Sequence, residues 1–256
     1  MKSVDSTLHL TKAMGLVASS KIRRANEAML KGRDYAQAFS ALVELLTGSQ
    51  DCWQSAYLRT GGTRTRLIVI AGDRGMAGGY NANVFRLARE YPEAEILPLG
   101  RRACDRQGKE QVSSEHFSGE MAMEIAREQC REFCAGAFDR LGILYTRYRS
   151  ILIQQPEIRW ILPLNRPETR SKADAIFEPD AKTVLEQAVP AYVAGQLVAA
   201  VRESFASEVA ARRMAMDSAG KNAQEMLDKL QLSYNRARQS AITQEITEIV
   251  AGSAER

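Results

Sequence analysis

The stretch Ala223-Gln-Glu-Met-Leu-Asp-Lys-Leu-Gln-Leu-Ser-Tyr-Asn-Arg-Ala-Arg-Gln-Ser-Ala241 decides the architecture. Its small and apolar residues fall at Ala223, Leu227, Leu230, Tyr234, Ala237 and Ala241. Those steps alternate between four and three, the seam of a coiled coil and not the broader stripe of a surface helix. The surrounding run from Ala191 to Val250 has no proline, and its only glycines are Gly195 and Gly220. A single helix over residues 191–250 would be roughly 90 Å long. A compact chain of this size has a radius of gyration of only about 18 Å. The helix must therefore stand out as a rod, and the rod needs a partner for its seam.

The N-terminal stretch supplies one. No proline precedes Pro92, and from Ser3 to Leu46 only Gly15 and Gly32 interrupt a helical pattern. Leu10, Met14, Ala18, Ile22, Ala25 and Met29 form a stripe at helical spacing. Ser6 or Thr7 is a candidate cap. Alanines in both stripes allow close approach, and an antiparallel pair would bring both termini to one end. The competing arrangement places both terminal helices in the core of a bundle, and the length of the C-terminal run counts against it.

Composition sets the outer limits. The 256 residues suffice for one good-sized core plus an extension, and 45% hydrophobic content is ordinary for a soluble chain. No stretch is expected to span a membrane, and Met1 to Thr11 lacks the apolar region of a signal peptide. Cys52, Cys104, Cys130 and Cys134 form no CxxC pair and are expected to be small buried hydrophobes in a reducing compartment. Cys130 and Cys134 would face one side of a helix. His9 and His116 are far apart in sequence, so no metal site is expected. Net charge is +4, unevenly spread. Between Lys12 and Arg33, six basic residues (Lys12, Lys21, Arg23, Arg24, Lys31 and Arg33) stand against a single acid, Glu27. That basic face is either solvated or meets an acidic partner, protein or nucleic acid.

The middle alternates. Arg66 to Ala71 reads as a buried strand, Ala82 to Glu90 as a helix and Ile96 to Leu99 as a second strand. A short helix over Arg101 to Gln107, a longer one over Glu120 to Ala137 and a strand over Leu141 to Thr146 follow. Strand and helix in alternation imply a small parallel sheet covered by helices. Trp160 to Leu164 is a candidate edge strand, and Arg166 to Pro179 reads as a loop.

The glycine loop, Gly72-Asp-Arg-Gly-Met-Ala-Gly-Gly-Tyr-Asn81, lies between a strand and a helix, the setting of dinucleotide binding. Its spacing matches neither GxGxxG nor a P-loop. The alternative to a nucleotide-binding α/β enzyme is that the glycines permit tight turns. Ser113, Ser114, Glu115 and His116 form a polar cluster, but no catalytic motif with placed partners is present.

Three segments together resemble the gamma subunit of F-type ATP synthase. Thr11-Lys-Ala-Met14, Val17-Ala-Ser-Ser-Lys21 and Arg23-Arg-Ala25 are similar to its N-terminal signature, and Gly72 to Asn81 to its central loop. Glu203-Ser-Phe-Ala-Ser-Glu208, Ala210-Ala-Arg-Arg-Met214, Ala215-Met216, Tyr234-Asn-Arg-Ala-Arg-Gln239 and Ile242-Thr-Gln-Glu-Ile246 are similar to its C-terminal signature. The resemblance covers essentially the whole chain in order. Three departures stand out. The basic helical turn that usually precedes the segment at Lys2-Ser-Val4 is absent, Gly15 replaces a larger helix former, and the thiol-regulated insertion of the chloroplast version is missing. Gly15 is expected to loosen the helix, by up to about 1 kcal/mol.

The resemblance implies an α/β fold. It combines a long antiparallel coiled coil of the N- and C-terminal helices with a small Rossmann-like parallel-sheet domain. The expected division is a first helix at 1–47, an α/β domain at 66–165, a linker at 166–190 and a second helix at 191–251. The implied function is a central-stalk rotor subunit without a catalytic site or cofactor of its own. Its implied partners are the alpha3beta3 ring, the epsilon subunit and the c-ring, with one gamma per complex, no nucleic acid and membrane association only through the complex. The absence of a transit peptide favours the cytoplasmic face of a bacterial plasma membrane. Arg238, Gln239, Met14, Lys21, Arg23 and Arg24 correspond to positions that would contact beta. Ile242, Ile246, Ile249 and Val250 would form the apolar tip turning in a bearing.

Overall fold

The computed structural model describes residues 1–166 and 176–254. Two helices dominate it, α1 (Lys2–Thr47) and α5 (Ala181–Ala254). At 46 and 74 residues they extend roughly 70 and 110 Å. Between them lie β1 (Thr65–Ile70), α2 (Tyr80–Ala88), β2 (Glu95–Leu99), α3 (Arg101–Gln107), α4 (Gly119–Cys134), β3 (Arg140–Tyr148) and β4 (Gln154–Leu162). Two single-turn helices, at Gln50–Cys52 and Ala56–Leu58, carry the chain from α1 into the sheet.

The sheet order is β2-β1-β3-β4. β1 pairs in parallel with β2 and β3, and β4 closes the far edge antiparallel to β3. The expected edge strand over Trp160 to Leu164 is thus the end of a longer strand. Its alternation is blurred because both faces are covered. Ile158 and Trp160 pack with Leu67, Val69 and Leu144 under α2, whereas Ile161 joins the opposite core. That larger core places Ile68, Ile70, Ile143 and Tyr145 against Ala126, Cys130 and Phe133 of α4 and Leu185, Val189, Val193 and Leu197 of α5.

α5 begins at Ala181, ahead of the expected start at Ala191, so part of the expected linker 166–190 is helical. Residues 167–175 of that linker lie outside the described residues. Asp180 explains the early start: its carboxylate accepts from the Thr183 backbone N–H at 2.8 Å and the Thr183 hydroxyl at 2.7 Å, a side-chain cap. Pro190, read from sequence as a boundary, sits inside the helix. The carbonyl it leaves without an intrahelical donor belongs to Glu186, an exposed residue that water can reach. One window of α5 also has the length and mean hydropathy, 1.3, of a membrane span, contrary to the composition-based expectation. Of that window 61% is buried inside the fold, as expected of the central helix of a core.

Three local expectations shift, two of them on α1. The helix starts at Lys2, so Ser6 and Thr7 are not caps, and their hydroxyls donate to the carbonyls of Lys2 and Ser3. The buried stripe is Leu8, Thr11, Gly15, Ala18, Ala25, Met29, Gly32 and Ala36. Leu10, assigned to that stripe from spacing, is 56% exposed. Both leucines fit a helical spacing, and the register of α1 on α5 buries the face of Leu8 and Thr11 in place of that of Leu10. Cys52, Cys104 and Cys130 are buried, whereas Cys134 is exposed at the end of α4.

Two glycine substitutions separate local looseness from backbone necessity. A Cβ on Gly15 would lie 3.7 Å from the Met216 Cβ, an ordinary contact. Gly15→Ala is therefore expected to raise stability by up to about 1 kcal/mol. Gly100 has φ 85°, and a Cβ there would lie 1.9 Å from the Ala71 carbonyl oxygen. Gly100→Ala is expected to cost roughly 3 kcal/mol or more. Urea unfolding of both variants checks the pair; equal effects of one sign would contradict it.

Candidate functional site

The shaft is built from small residues. Gly15 lies against Met216, Gly32 against Ala199 and Gly220 against Thr11. The two helices run in opposite directions at one pace, which places Met1 level with Leu230. Among the described residues, Ala223 is the last on α5 to be buried. Beyond it Leu230 is 37% exposed and Tyr234 56% exposed. The seam from Ala223 to Ala241 thus finds its partner in α1 only over its first turns. Among the described residues, no second helix runs beside α5 past Leu230. That tip extends roughly 36 Å.

Lower down, the shaft is joined to the sheet by buried polar groups. The Glu203 carboxylate is 1% exposed in side-chain surface. It accepts from Arg33 of α1 at 2.5 Å and from the Tyr148 backbone N–H at 3.1 Å, and Arg159 of β4 stands 3.9 Å away. Arg33 also donates to the Tyr148 carbonyl at 3.1 Å. Two turns earlier on α5, the Gln196 amide donates to the Ala36 carbonyl at 3.2 Å and to Ser40 at 2.8 Å. Its oxygen accepts from Arg159 at 3.2 Å. The Ser207 hydroxyl donates to the Thr146 carbonyl at 3.0 Å, and Tyr80 and Ser204 hydroxyls meet at 2.7 Å.

The glycine loop belongs to this joint. Gly72 packs so closely on α5 that a Cβ there would come within 2.6 Å of the Glu208 carboxyl carbon. Glu208 pairs with Arg212, which donates to the carbonyls of Gly75 at 3.3 Å and Arg74 at 3.4 Å. Burial holds the Glu208 carboxyl above the ordinary carboxylate range despite Arg212. A nucleotide phosphate at this turn would face that carboxylate, and the Gly72 N–H is already bonded to Asn81 at 2.9 Å. The tight-turn alternative accounts for Gly78, which has φ 58°, and close packing on α5 accounts for Gly72.

Asp73 ties the loop to the polar cluster. Its carboxylate accepts from the backbone N–H of Arg101, Ser114 and Glu115, each at 3.0 Å, and from the Ser113 hydroxyl at 2.7 Å. Glu115 in turn bonds Lys21 of α1 at 2.5 Å. The Lys21 ammonium, above all by this hydrogen bond, holds the Glu115 carboxyl below its usual range. His116 is exposed.

The residues singled out from sequence fall in two places. Met14 and Lys21 line a groove beside Arg74, Gly75 and Met76 of the glycine loop, so the Lys21 charge is engaged within the chain. Arg23 and Arg24 are exposed, with Arg23 3.8 Å from Glu27. Arg238 and Gln239 are exposed on the tip of α5, roughly 30 Å along the shaft from the level of Met14. Ile242, Ile246, Ile249 and Val250 are 47%, 56%, 71% and 61% exposed and share one side of the helix. Sequence reasoning assigned no role to Gln196, Glu203 or Asp73. Glu203, Ser204, Ser207 and Glu208 recur at helical spacing within an apolar helix, and that pattern was the available signal.

A two-helix shaft fixed to a small α/β foot defines a stalk protein. A family model described as ATP synthase matches residues 1–254. The ATP synthase gamma chain of Ruminococcus albus is 38% identical over 99% of this chain and 95% of its own length. That of Moorella thermoacetica is 38% identical over 98% and 95%. The fold is similar to a chain in the central stalk and c-ring structure of Tetrahymena thermophila mitochondrial ATP synthase. The TM-score is 0.63 at 20% identity, covering 82% of this chain and 99% of that one. A chain in the rotor structure of Euglena gracilis mitochondrial ATP synthase gives 0.57 at 16% identity, covering 93% and 99%. The chain belongs to the ATP synthase gamma chain family.

The hub at Asp73 should be visible in stability. Burial pushes its carboxyl up, but the N–H groups of Arg101, Glu115 and Ser114 with the Ser113 hydroxyl outweigh this and hold it below its ordinary 3.8. A depressed pKa contributes stability above the unfolded value and loses it as the pH falls through the folded one. Asp73→Asn is expected to cost about 1–3 kcal/mol at neutral pH. In urea unfolding the gap between wild type and variant should narrow below about pH 4; a gap that stays constant contradicts the assignment.

Proposed function

We propose that the chain couples ion-driven rotation of a c-ring to conformational cycling of the catalytic beta subunits of an ATP synthase. The observation that carries this is the tip of α5. Past Leu230 it presents Ile242, Ile246 and Ile249 to solvent, on a helix that α1 covers only lower down. An apolar helix face of this kind needs a surrounding surface. An alpha3beta3 ring enclosing it would supply a sleeve, with Val250 at the same end. Relatives named as gamma chains and a neighbour described as central stalk and c-ring support the reading.

The mechanism is differential contact. A single asymmetric rod inside a threefold ring meets each beta subunit differently at any instant. A ligand shifts an equilibrium only by its differential affinity for the two states, and the rod acts as such a ligand for each site in turn. Arg238 and Gln239 would make the charged and polar contacts near the tip. The exposed Arg23 and Arg24, with Met14 and the partly engaged Lys21, would face acidic beta loops lower down. The foot would rest against the epsilon subunit and the c-ring, one gamma per complex. The chain would meet the cytoplasmic face of a bacterial plasma membrane only through the complex. Bond chemistry would belong to the ring, so this subunit is non-catalytic.

Arg238→Ala tests the tip contact. A lost charge-assisted hydrogen bond is worth about 1.5–3 kcal/mol, roughly tenfold or more in rate if it acts in the turnover step. Coupled ATP turnover of the assembled complex is expected to fall while the circular dichroism of the chain stays that of wild type. Unchanged turnover would remove the role given to Arg238.

A further inference from the structure

The rotor reading requires that torque cross from foot to shaft, and only some of the contacts at their junction can carry it. Apolar burial is non-directional and follows area. The face of Leu185, Val189, Val193 and Leu197 against the sheet therefore resists lifting, but a small turn of one surface on the other leaves most of that area covered. Hydrogen bonds weaken steeply with distance and angle, so they resist shear. The directional contacts are concentrated on α5 between Gln196 and Arg212.

Within that segment Glu203 is the one buried carboxylate that reaches three other elements. It bonds Arg33 of α1 and the Tyr148 N–H of β3, with Arg159 of β4 beside it. Gln196, two turns away, repeats the arrangement with Ala36, Ser40 and the same Arg159. The two rungs are roughly 10 Å apart along the axis. Stability alone does not require them. Desolvating the Glu203 carboxylate costs several kcal/mol, and apolar groups of similar volume are often neutral or stabilising in place of a buried ion pair. What an apolar pair lacks is a fixed register between α1, α5 and the sheet.

We propose that Glu203, held by Arg33 and Tyr148 and backed by the Gln196 rung, is the positioning residue through which torque passes between foot and shaft. It makes both helices turn with the foot as one body. This rests on the rotor reading. Removing the directional contact while refilling its volume should leave a chain that folds and assembles but has a torsionally softer joint.

The test uses the assembled alpha3beta3gamma complex, fixed through its ring, with a bead attached at the exposed Cys134 on the foot. The angular variance of the stalled bead reports joint stiffness. Arg33→Leu with Glu203→Leu is expected to raise that variance about twofold or more, while thermal melting of the chain falls by no more than the loss of the Tyr148 N–H and Arg159 partners allows and the chain still folds. Glu203→Gln, which keeps shape and a weaker hydrogen bond, should raise it less, and it decides the matter alone if the double variant does not assemble. Variance equal to wild type in the variants that assemble overturns the proposal. A wild-type bead that ATP never turns sinks the rotor reading instead, so the two failures are distinguishable.

Discussion

Close antiparallel packing of α1 on α5 is the constraint on which the rest depends. The facing positions are small, Gly15, Ala18, Ala25 and Gly32 on one helix and Ala199, Ala206, Ala210 and Ala223 on the other. Small residues let two backbones approach and bury each other with little side-chain entropy to lose. A helix as long as α5 is not stabilised by propensity alone, because most helical stability in proteins comes from packing. The pair therefore stands or falls together over the length they share.

Along α5 the chemistry of its surroundings changes in sequence. From Leu185 to Val201 it is the central helix of the foot, covered by the sheet, α4 and the end of α1. From Glu203 to Arg212 its contacts are ionic and directional, toward Arg33, the end of β3 and the glycine loop. From Met216 to Ala223 it lies level with Gly15, Thr11 and Leu8 of α1. Past Leu230 its large apolar side chains meet solvent. One continuous helix thus passes from anchor to joint to shaft to tip, with Pro190 in its anchor segment.

Much of this was legible from residue spacing. The alternation of four and three from Ala223, with the absence of proline, announced a rod. The β-branched run at Arg66 to Ala71 and its successors announced a parallel sheet. Three things were not legible, for physical reasons. Pro190 looked like a boundary because its cost depends on whether the orphaned carbonyl at Glu186 is wet, which only the fold decides. The stripe on α1 was assigned to Leu10 and not to Leu8 and Thr11 because both leucines fit a helical spacing and only the register of α1 on α5 decides which face is buried. The joint was hidden because a buried carboxylate such as Glu203 and an exposed one look alike in sequence. Its partners, Arg33, Tyr148 and Arg159, come from three distant segments.

The claim that everything else requires is that α5 stays extended beyond the body of the protein. Pulsed electron spin resonance between labels at the exposed positions Arg202→Cys and Ser240→Cys, with Cys134→Ser removing the exposed native thiol, measures it directly. An unbroken helix places the two backbones roughly 57 Å apart, with a single narrow distribution. A main distance of roughly 30 Å or less, from a tip folded back on the foot, would contradict the account.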